Sequence, residues 1–171
     1  MKNTLCTGQF LALIREGHWE YVDRTNATGA AIIIAVTDDR KVLLVEQYRI
    51  PVHARTIEMP AGIIGDSAEV AHETQAAAAG RELLEETGYQ AARVEAVTTG
   101  AASSGVTSEV VTLFRASGLR RVGAGGGVGH EQITVHEVPL AEIDQWLAAR
   151  AAEGLLIDPK VYAGLYFIRR E

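Results

Sequence analysis

Cysteine is nearly absent from this chain. Cys6 stands alone among 171 residues and cannot close an internal disulfide, so a reducing cytoplasm is the expected compartment. The four prolines are scattered, and no Pro- or Ser-rich stretch marks a linker between full domains. Long apolar runs are missing too. The longest uncharged one, Ala30 to Thr37, is far short of the ~20 residues of a membrane span. The patch Phe10–Ile14 is too short for the core of a secretion signal, and Arg15 follows at once. Positive charge is in deficit: 16 Lys and Arg against 22 Asp and Glu give −6, the wrong sign for gripping a nucleic-acid backbone. A small phosphate ligand held through a metal escapes that exclusion. The chain also lacks a G-x-x-x-x-G-K-[S/T] phosphate loop, a Ser-His-Asp order, a Cys-x-x-Cys pair and a zinc ligand set.

What is present is ordinary globular material, 47% hydrophobic and 22% charged, which rules out disorder and collagen-like repeats. A single domain of this length buries about 70% of the surface its open chain exposes, so a core without staples is feasible. Alternation at Phe10, Ala12 and Ile14, and less cleanly at Trp19, Tyr21 and Arg24, around Glu16-Gly17-His18, predicts a short antiparallel hairpin. Ala30 to Val36 reads as a strand buried on both faces, with Val42 to Tyr48 as its hairpin partner across Asp38-Asp39-Arg40. Further strands are expected at 56–59, 93–98, 110–115 and 133–138, and helices at 140–152 and 159–169. A mixed sheet flanked by helices is the natural α+β packing for this order.

A third helix is predicted from Thr74, as N-cap, through Thr87, with Gly88 closing it. At ~100° per residue, Ala76, Gly80, Leu83 and Thr87 share one side, and Glu82, Glu85 and Glu86 crowd the other. Gly80 in a helix interior costs about 1 kcal/mol against alanine, and close packing on a sheet would explain it. The glutamates repel one another by a few tenths of a kcal/mol per pair and sit at the end of the helix where the dipole disfavours negative charge. A solvated acidic face would tolerate this; a hard divalent cation would reverse its sign.

The stretch Arg81-Glu82-Leu83-Leu84-Glu85-Glu86-Thr87-Gly88-Tyr89, with Glu73 eight positions before Arg81, resembles the signature G-x5-E-x7-R-E-U-x-E-E-x-G-U of the Nudix hydrolases, U being a bulky apolar residue. Strict spacing would put the leading glycine at Ser67, whereas the equivalent is Gly62, so the loop carries a five-residue extension across 63–72. The resemblance implies a Nudix-type α/β/α sandwich, with residues 27–171 as the hydrolase domain and 1–26 as an N-terminal hairpin region. It implies Mg²⁺, with Mn²⁺ as an alternative, on Glu82 and Glu86, with the Ala61 carbonyl as a further ligand and Glu85 as a catalytic carboxylate that either binds the ion too or supports those that do. Glu73 and Arg81 would form an ion pair shaping the loop, with Gly62 and Gly88 as structural members of the motif.

Other segments point to one branch of that family. Val45-Glu46-Gln47-Tyr48-Arg49 and Glu58-Met59-Pro60-Ala61-Gly62 resemble the ADP-ribose and nucleotide-sugar pyrophosphatases. Ser103 to Glu109 is similar to their S-P-G-x-T-S-E segment, with Ser104 replacing the proline and Gly105 as a substrate-side glycine. Gly125 to Glu131 is similar to a loop of GDP-mannose-type members. The expected reaction is Mg²⁺-dependent hydrolysis of a nucleoside diphosphate sugar to a nucleoside monophosphate and a sugar phosphate. Housecleaning of nucleoside triphosphates is the alternative, and a nucleotide-sugar sensor without turnover is a third reading.

Glu131 is similar in place to the loop glutamate that serves as base in related ADP-ribose enzymes, so the resemblance implies it as the general base, on a loop whose mobility would suit closure over substrate; Glu109 is the second candidate. Otherwise the first is an exposed acid and the second a sheet-edge charge. His130 would tune Glu131 or merely be solvated. Arg49 is suited to clamping phosphate, or to a surface ion pair. Trp19 would stack on a nucleobase, or pack in a core or dimer. Glu58 would coordinate or orient metal on the substrate side of the site, or simply end a strand. A homodimer through the apolar hairpin is expected, because its open sheet edges need cover.

Overall fold

The computed structural model describes residues 1–27, 29–65, 73–129 and 131–170. In chain order it has strands β1 (Lys2–Thr7), β2 (Leu11–Glu16), β3 (Trp19–Arg24), β4 (Gly29–Ala35), β5 (Lys41–Arg49), β6 (Ala54–Glu58) and β7 (Ala61–Ile64). Helix α1 (Gln75–Thr87) follows, then β8 (Tyr89–Gln90), β9 (Arg93–Ala101), β10 (Val110–Ser117), β11 (Arg120–Arg121) and β12 (Thr134–Pro139). The chain ends with α2 (Ile143–Ala152), β13 (Leu156–Ile157) and α3 (Pro159–Ile168).

Two four-stranded sheets form the body. One runs β7-β4-β10-β9, with β4 and β10 parallel and the outer pairs antiparallel; the other runs β12-β5-β6-β13, with β6 and β13 parallel. Strand β4 shows why a continuous apolar run is needed at this place. Ile32 and Ile34 enter a core with Leu44, Ile57, Met59 and the helices α2 and α3, through Leu147 and Leu165. Ala31, Ile33 and Ala35, one residue out of phase, enter a second core with Leu43, Phe114 and the α1 residues Ala79 and Leu83. The strands thus separate helices on two sides, the expected α/β/α arrangement.

The N-terminal region has one strand more than the expected hairpin: β1 joins the edge of β2, and β1-β2-β3 form an antiparallel sheet. β1 is fully exposed, so no buried periodicity announces it in the sequence. The sheet is tied to the body where the Val22 amide donates to the Val106 carbonyl at 2.8 Å and the Ser108 amide to the Val22 carbonyl at 3.1 Å. Strand β7 has no signal in the sequence either, because Ala61-Gly62-Ile63-Ile64 is short and follows a proline; pairing with β4 creates it. Most of the loop extension, including Ser67, falls at 66–72, outside the described residues, as does His130.

Candidate functional site

Helix α1 begins as expected, the Thr74 hydroxyl accepting the Ala77 amide at 3.2 Å, and ends at Gly88 with φ 75°, a left-handed conformation that glycine adopts without strain. Its buried stripe differs from the wheel reading. Ala78, Ala79, Leu83, Glu86 and Thr87 are buried, while Ala76 and Gly80 are only partly so. Glu86, 4% exposed, lies inside because the start of β7 closes over the last helical turn, and the Ala61 amide donates to Glu86 Oε2 at 2.9 Å. The adjoining Gly62 lies under the Glu82 side chain: a Cβ there would overlap Cγ and Cδ of Glu82, which would have to move. Gly80 has no such reason, since a Cβ would meet Val94 at an ordinary 3.7 Å.

The electrostatics follow from this enclosure. Burial pushes the Glu86 carboxyl up to about 8, and repulsion from Glu82, Glu131 and Glu58 adds to it against the Ala61 hydrogen bond. Glu82 is pushed up to about 7, again by burial first, with Glu85 and Glu131 opposing the relief from Arg81. Arg81 gathers the remaining acids: Glu73 at 3.3 Å, Glu82 at 3.0 Å and Glu85 at 3.1 Å. The expected Glu73–Arg81 pair is therefore present, and Glu85 is turned toward the same guanidinium. Arg81 Nη2 is buried without a hydrogen-bond partner among the described residues.

Glu82, Glu86, Ala61, Gly62 and Glu131 open on a cleft of about 530 Å³, whose wall also carries three cations, each held by an acid that lines it too. Arg49 grips Glu58 with two bonds, at 2.7 and 2.6 Å, and Thr56 donates a third. Burial works against ionising Glu58, but these bonds outweigh it and keep the group below the usual carboxylate range. Arg24 pairs with Glu109, so the second base candidate is tied to an arginine. Lys160 pairs with Asp158 at 2.7 Å, and Asp158 also caps α3 by accepting the Lys160 amide at 2.8 Å.

Arg24, Asp158 and Lys160 had no signal as cleft residues in the sequence. Asp158-Pro159 was legible as a helix start, but its place beside Glu58 comes from the parallel pairing of Leu156 with Thr56 and Ile157 with Ile57. Trp19 and Gly105 do not line this cleft. Trp19 sits in a separate surface recess of about 430 Å³ with Glu16, Tyr21, Ser104, Thr107 and Ser108. Gly105 lies in the turn beside that recess, with open space where a Cβ would be. The glycine-rich loop bearing Glu131 is bonded to α1 rather than hanging free, Gly126 donating to the Glu86 carbonyl at 2.8 Å.

Among the described residues no three acidic or imidazole groups are gathered into a closed ion cage. The donor chemistry nonetheless fits a hard divalent ion. Glu82 and Glu86 are oxygen donors whose charged forms are disfavoured by burial and mutual repulsion, a deficit that a cation in the cleft relieves.

Comparison with known proteins agrees with this geometry. The NUDIX domain model matches residues 27–156. The chain is 33% identical over 142 residues to a methanol dehydrogenase activator of Bacillus methanolicus, covering 82% of this chain and 72% of the relative. It is 33% identical over 139 residues to an ADP-ribose pyrophosphatase of Mycobacterium tuberculosis, covering 80% and 63%. To a GDP-mannose pyrophosphatase of Cronobacter sakazakii it is 30% identical over 149 residues, covering 82% and 72%. The crystal structure of an ADP compounds hydrolase superposes over 99% of this chain and 90% of that one, with a TM-score of 0.73 at 19% identity, a likeness of fold.

Proposed function

The chain belongs to the NUDIX family, and from that premise we propose that it is a pyrophosphohydrolase of nucleoside diphosphate sugars. It cleaves ADP-ribose, GDP-mannose or a similar compound to a nucleoside monophosphate and a sugar phosphate. The relatives named for ADP-ribose and GDP-mannose support the substrate class. The observation that carries the reading is the cleft itself, which puts one buried and one partly buried glutamate, both under-neutralised, a loop glutamate and three cationic side chains around one volume.

A substrate diphosphate is anionic and repels a nucleophile. Arg49, Arg24 and Lys160 lie where they can share its charge, each being released in part from the acid that now holds it. Glu82 and Glu86, with the main chain at Ala61, would hold Mg²⁺ or Mn²⁺. Such an ion, when bound, neutralises phosphoryl oxygens and acidifies a water. Glu131 receives the proton as water oxygen bonds to one phosphorus and the bridging P–O bond breaks, so both products leave as phosphate monoesters. Its Oε2 already accepts the Val128 amide at 2.9 Å, leaving Oε1 for the proton. Glu85, bound to Arg81, acts from behind by ordering the helix end.

Residues 1–26 serve as a pairing module and 27–171 as the hydrolase domain. Leu5, Phe10, Leu11 and Leu13 are exposed on or beside β1 and β2, an apolar surface that a second copy of the chain would cover in a cytoplasmic homodimer. No described helix is long and apolar enough to cross a membrane.

The test is a panel of ADP-ribose, GDP-mannose, UDP-glucose and nucleoside triphosphates with Mg²⁺, with products identified by mass. A monophosphate and a sugar phosphate are expected. Pyrophosphate from a triphosphate, with no cleavage of the sugars, would favour housecleaning instead, and binding without turnover would favour a sensor.

A further inference from the structure

Glu131 is exposed, yet its carboxylate is seated. The seat is built from backbone. The Gly126 and Gly127 amides donate to the carbonyls of Glu86 and Glu85 at 2.8 and 3.1 Å, and the Val122 and Gly123 amides share the Gly88 carbonyl at 2.8 and 3.1 Å. A Cβ on Gly125 would stand 2.6 Å from the Glu86 carbonyl oxygen, so the loop lies flat on the end of the carboxylate helix. The turn then closes on itself, Ile133 donating to Gly126 and Glu131 to Val128, both at 3.2 Å. Within it the Glu131 side chain folds back over Gly127 while the Val128 amide holds Oε2 at 2.9 Å. A Cβ on Gly127 would be 2.6 Å from Glu131 Oε2 and 2.7 Å from Glu131 Cβ.

We propose that Gly127 is a positioning residue for the hydrolysis. Its missing side chain creates the space in which the Val128 amide holds Glu131 at a fixed offset from Glu82 and Glu86. This rests on the assignment of Glu131 as base. The chain supplies an internal control. Gly129 has φ +62° and Gly127 φ +83°, so alanine strains the backbone at both positions. Only at Gly127 does it also meet Glu131; around Gly129 nothing among the described residues lies within 4 Å of an added Cβ.

The experiment measures kcat and KM with Mg²⁺, on ADP-ribose and GDP-mannose, for the full chain and for Gly127→Ala, Gly129→Ala, Glu131→Gln, Glu131→Asp and the double variant Gly127→Ala/Glu131→Gln. Gly127→Ala is expected to lower kcat about 10²-fold with KM nearly unchanged, while Gly129→Ala stays within about threefold of the parent at a similar loss of Tm. Adding Gly127→Ala to Glu131→Gln should change kcat by less than about threefold, because the two act through one group. Glu131→Asp, one methylene too short for the Val128 amide, should fall like Glu131→Gln, and it reports on the seat even if Gly127→Ala misfolds. Equal losses at Gly127 and Gly129, a Gly127 effect that persists without Glu131, or an aspartate at parental rate would each overturn the proposal. Absence of turnover in the parent would instead defeat the functional reading beneath it, and parental kcat in Glu131→Gln would defeat the base assignment.

Discussion

The two halves of α1 obey different rules. From Gln75 to Gly80 the helix is alanine-rich, uncharged and capped by Thr74, and its one poor helix former, Gly80, has room to spare beside Val94. From Arg81 to Thr87 the local rules are broken. Like charges stand one turn apart, no basic residue occupies the last turn, and one carboxylate is buried. Yet neighbouring backbone comes close here, with Gly62 under Glu82 and Gly125 on the Glu86 carbonyl. The lesson is that the first half, with the cores beneath it, stabilises a second half whose arrangement makes sense only in terms of what it binds.

Replacing Glu86 by glutamine strikes the second half most directly. It removes the charge proposed to hold the metal while keeping the shape, and kcat should fall about 10²-fold or more. Because Glu86 is repelled by Glu82, Glu131 and Glu58, the metal-free variant should melt no lower than the parent. Retained turnover would remove the metal role, and a large loss of Tm would show that the charge stabilises the fold, breaking the contrast between the halves.

Gly62→Ala probes the same half from the neighbouring strand. The atoms in the way are Cγ, Cδ and Oε1 of Glu82, the movable end of a side chain rather than backbone. The expected result is a folded protein with little change in Tm and a rate about ten- to a hundredfold lower, recovered in part by higher Mg²⁺. Thermal melts beside a Mg²⁺ titration of the rate would check it. A variant that unfolds would place Gly62 in the fold rather than in the site.

The pH dependence of stability sharpens the comparison without mutation. The folded chain keeps a proton on Glu86 up to about pH 8, whereas the unfolded chain releases it near 4.5. Between those values the native state binds more protons, so the metal-free protein loses stability as pH rises. From about pH 5.5 to about pH 7.5 the loss from this one group should be about 2 kcal/mol, visible in urea unfolding with a chelator present. Mg²⁺ should restore most of it at the higher pH and little at the lower. A flat profile would mean that Glu86 is ionised without help.

How much of this is legible in the sequence depends on how local each cause is. The helix from Thr74 to Gly88 follows from a cap, a periodicity and a terminal glycine, all within a few residues of one another. Strand β4 is legible because burial on both faces demands an unbroken apolar run, and the Glu73–Arg81 pair because the family motif that the sequence resembles implies it. The cationic wall is not. Arg24 reaches the cleft through a sheet whose attachment depends on Val22 meeting Thr107, and Lys160 through strand pairing of 156–157 with 56–57. Such pairings are decided by the whole topology, and no local pattern encodes them. The burial of Glu86 was hidden for a related reason: a helical wheel separates two sides, but this helix is also covered at its end, by β7.

The smallest effect belongs to the first half, where slack should be recoverable. At Gly80 the backbone is ordinary helix, and an added Cβ would touch Val94 at van der Waals distance, 3.7 Å. Alanine there gains helix propensity and reduces the freedom of the unfolded chain, so Gly80→Ala should stabilise the protein by about 0.5–1 kcal/mol. Turnover should be unchanged, because the gain is made two residues before Glu82 in a segment that does not line the cleft. Paired urea titrations and kcat measurements on parent and variant would show both. If the variant gains stability but loses rate, the two halves of the helix are mechanically coupled, and the carboxylate end depends on a looseness that Gly80 supplies.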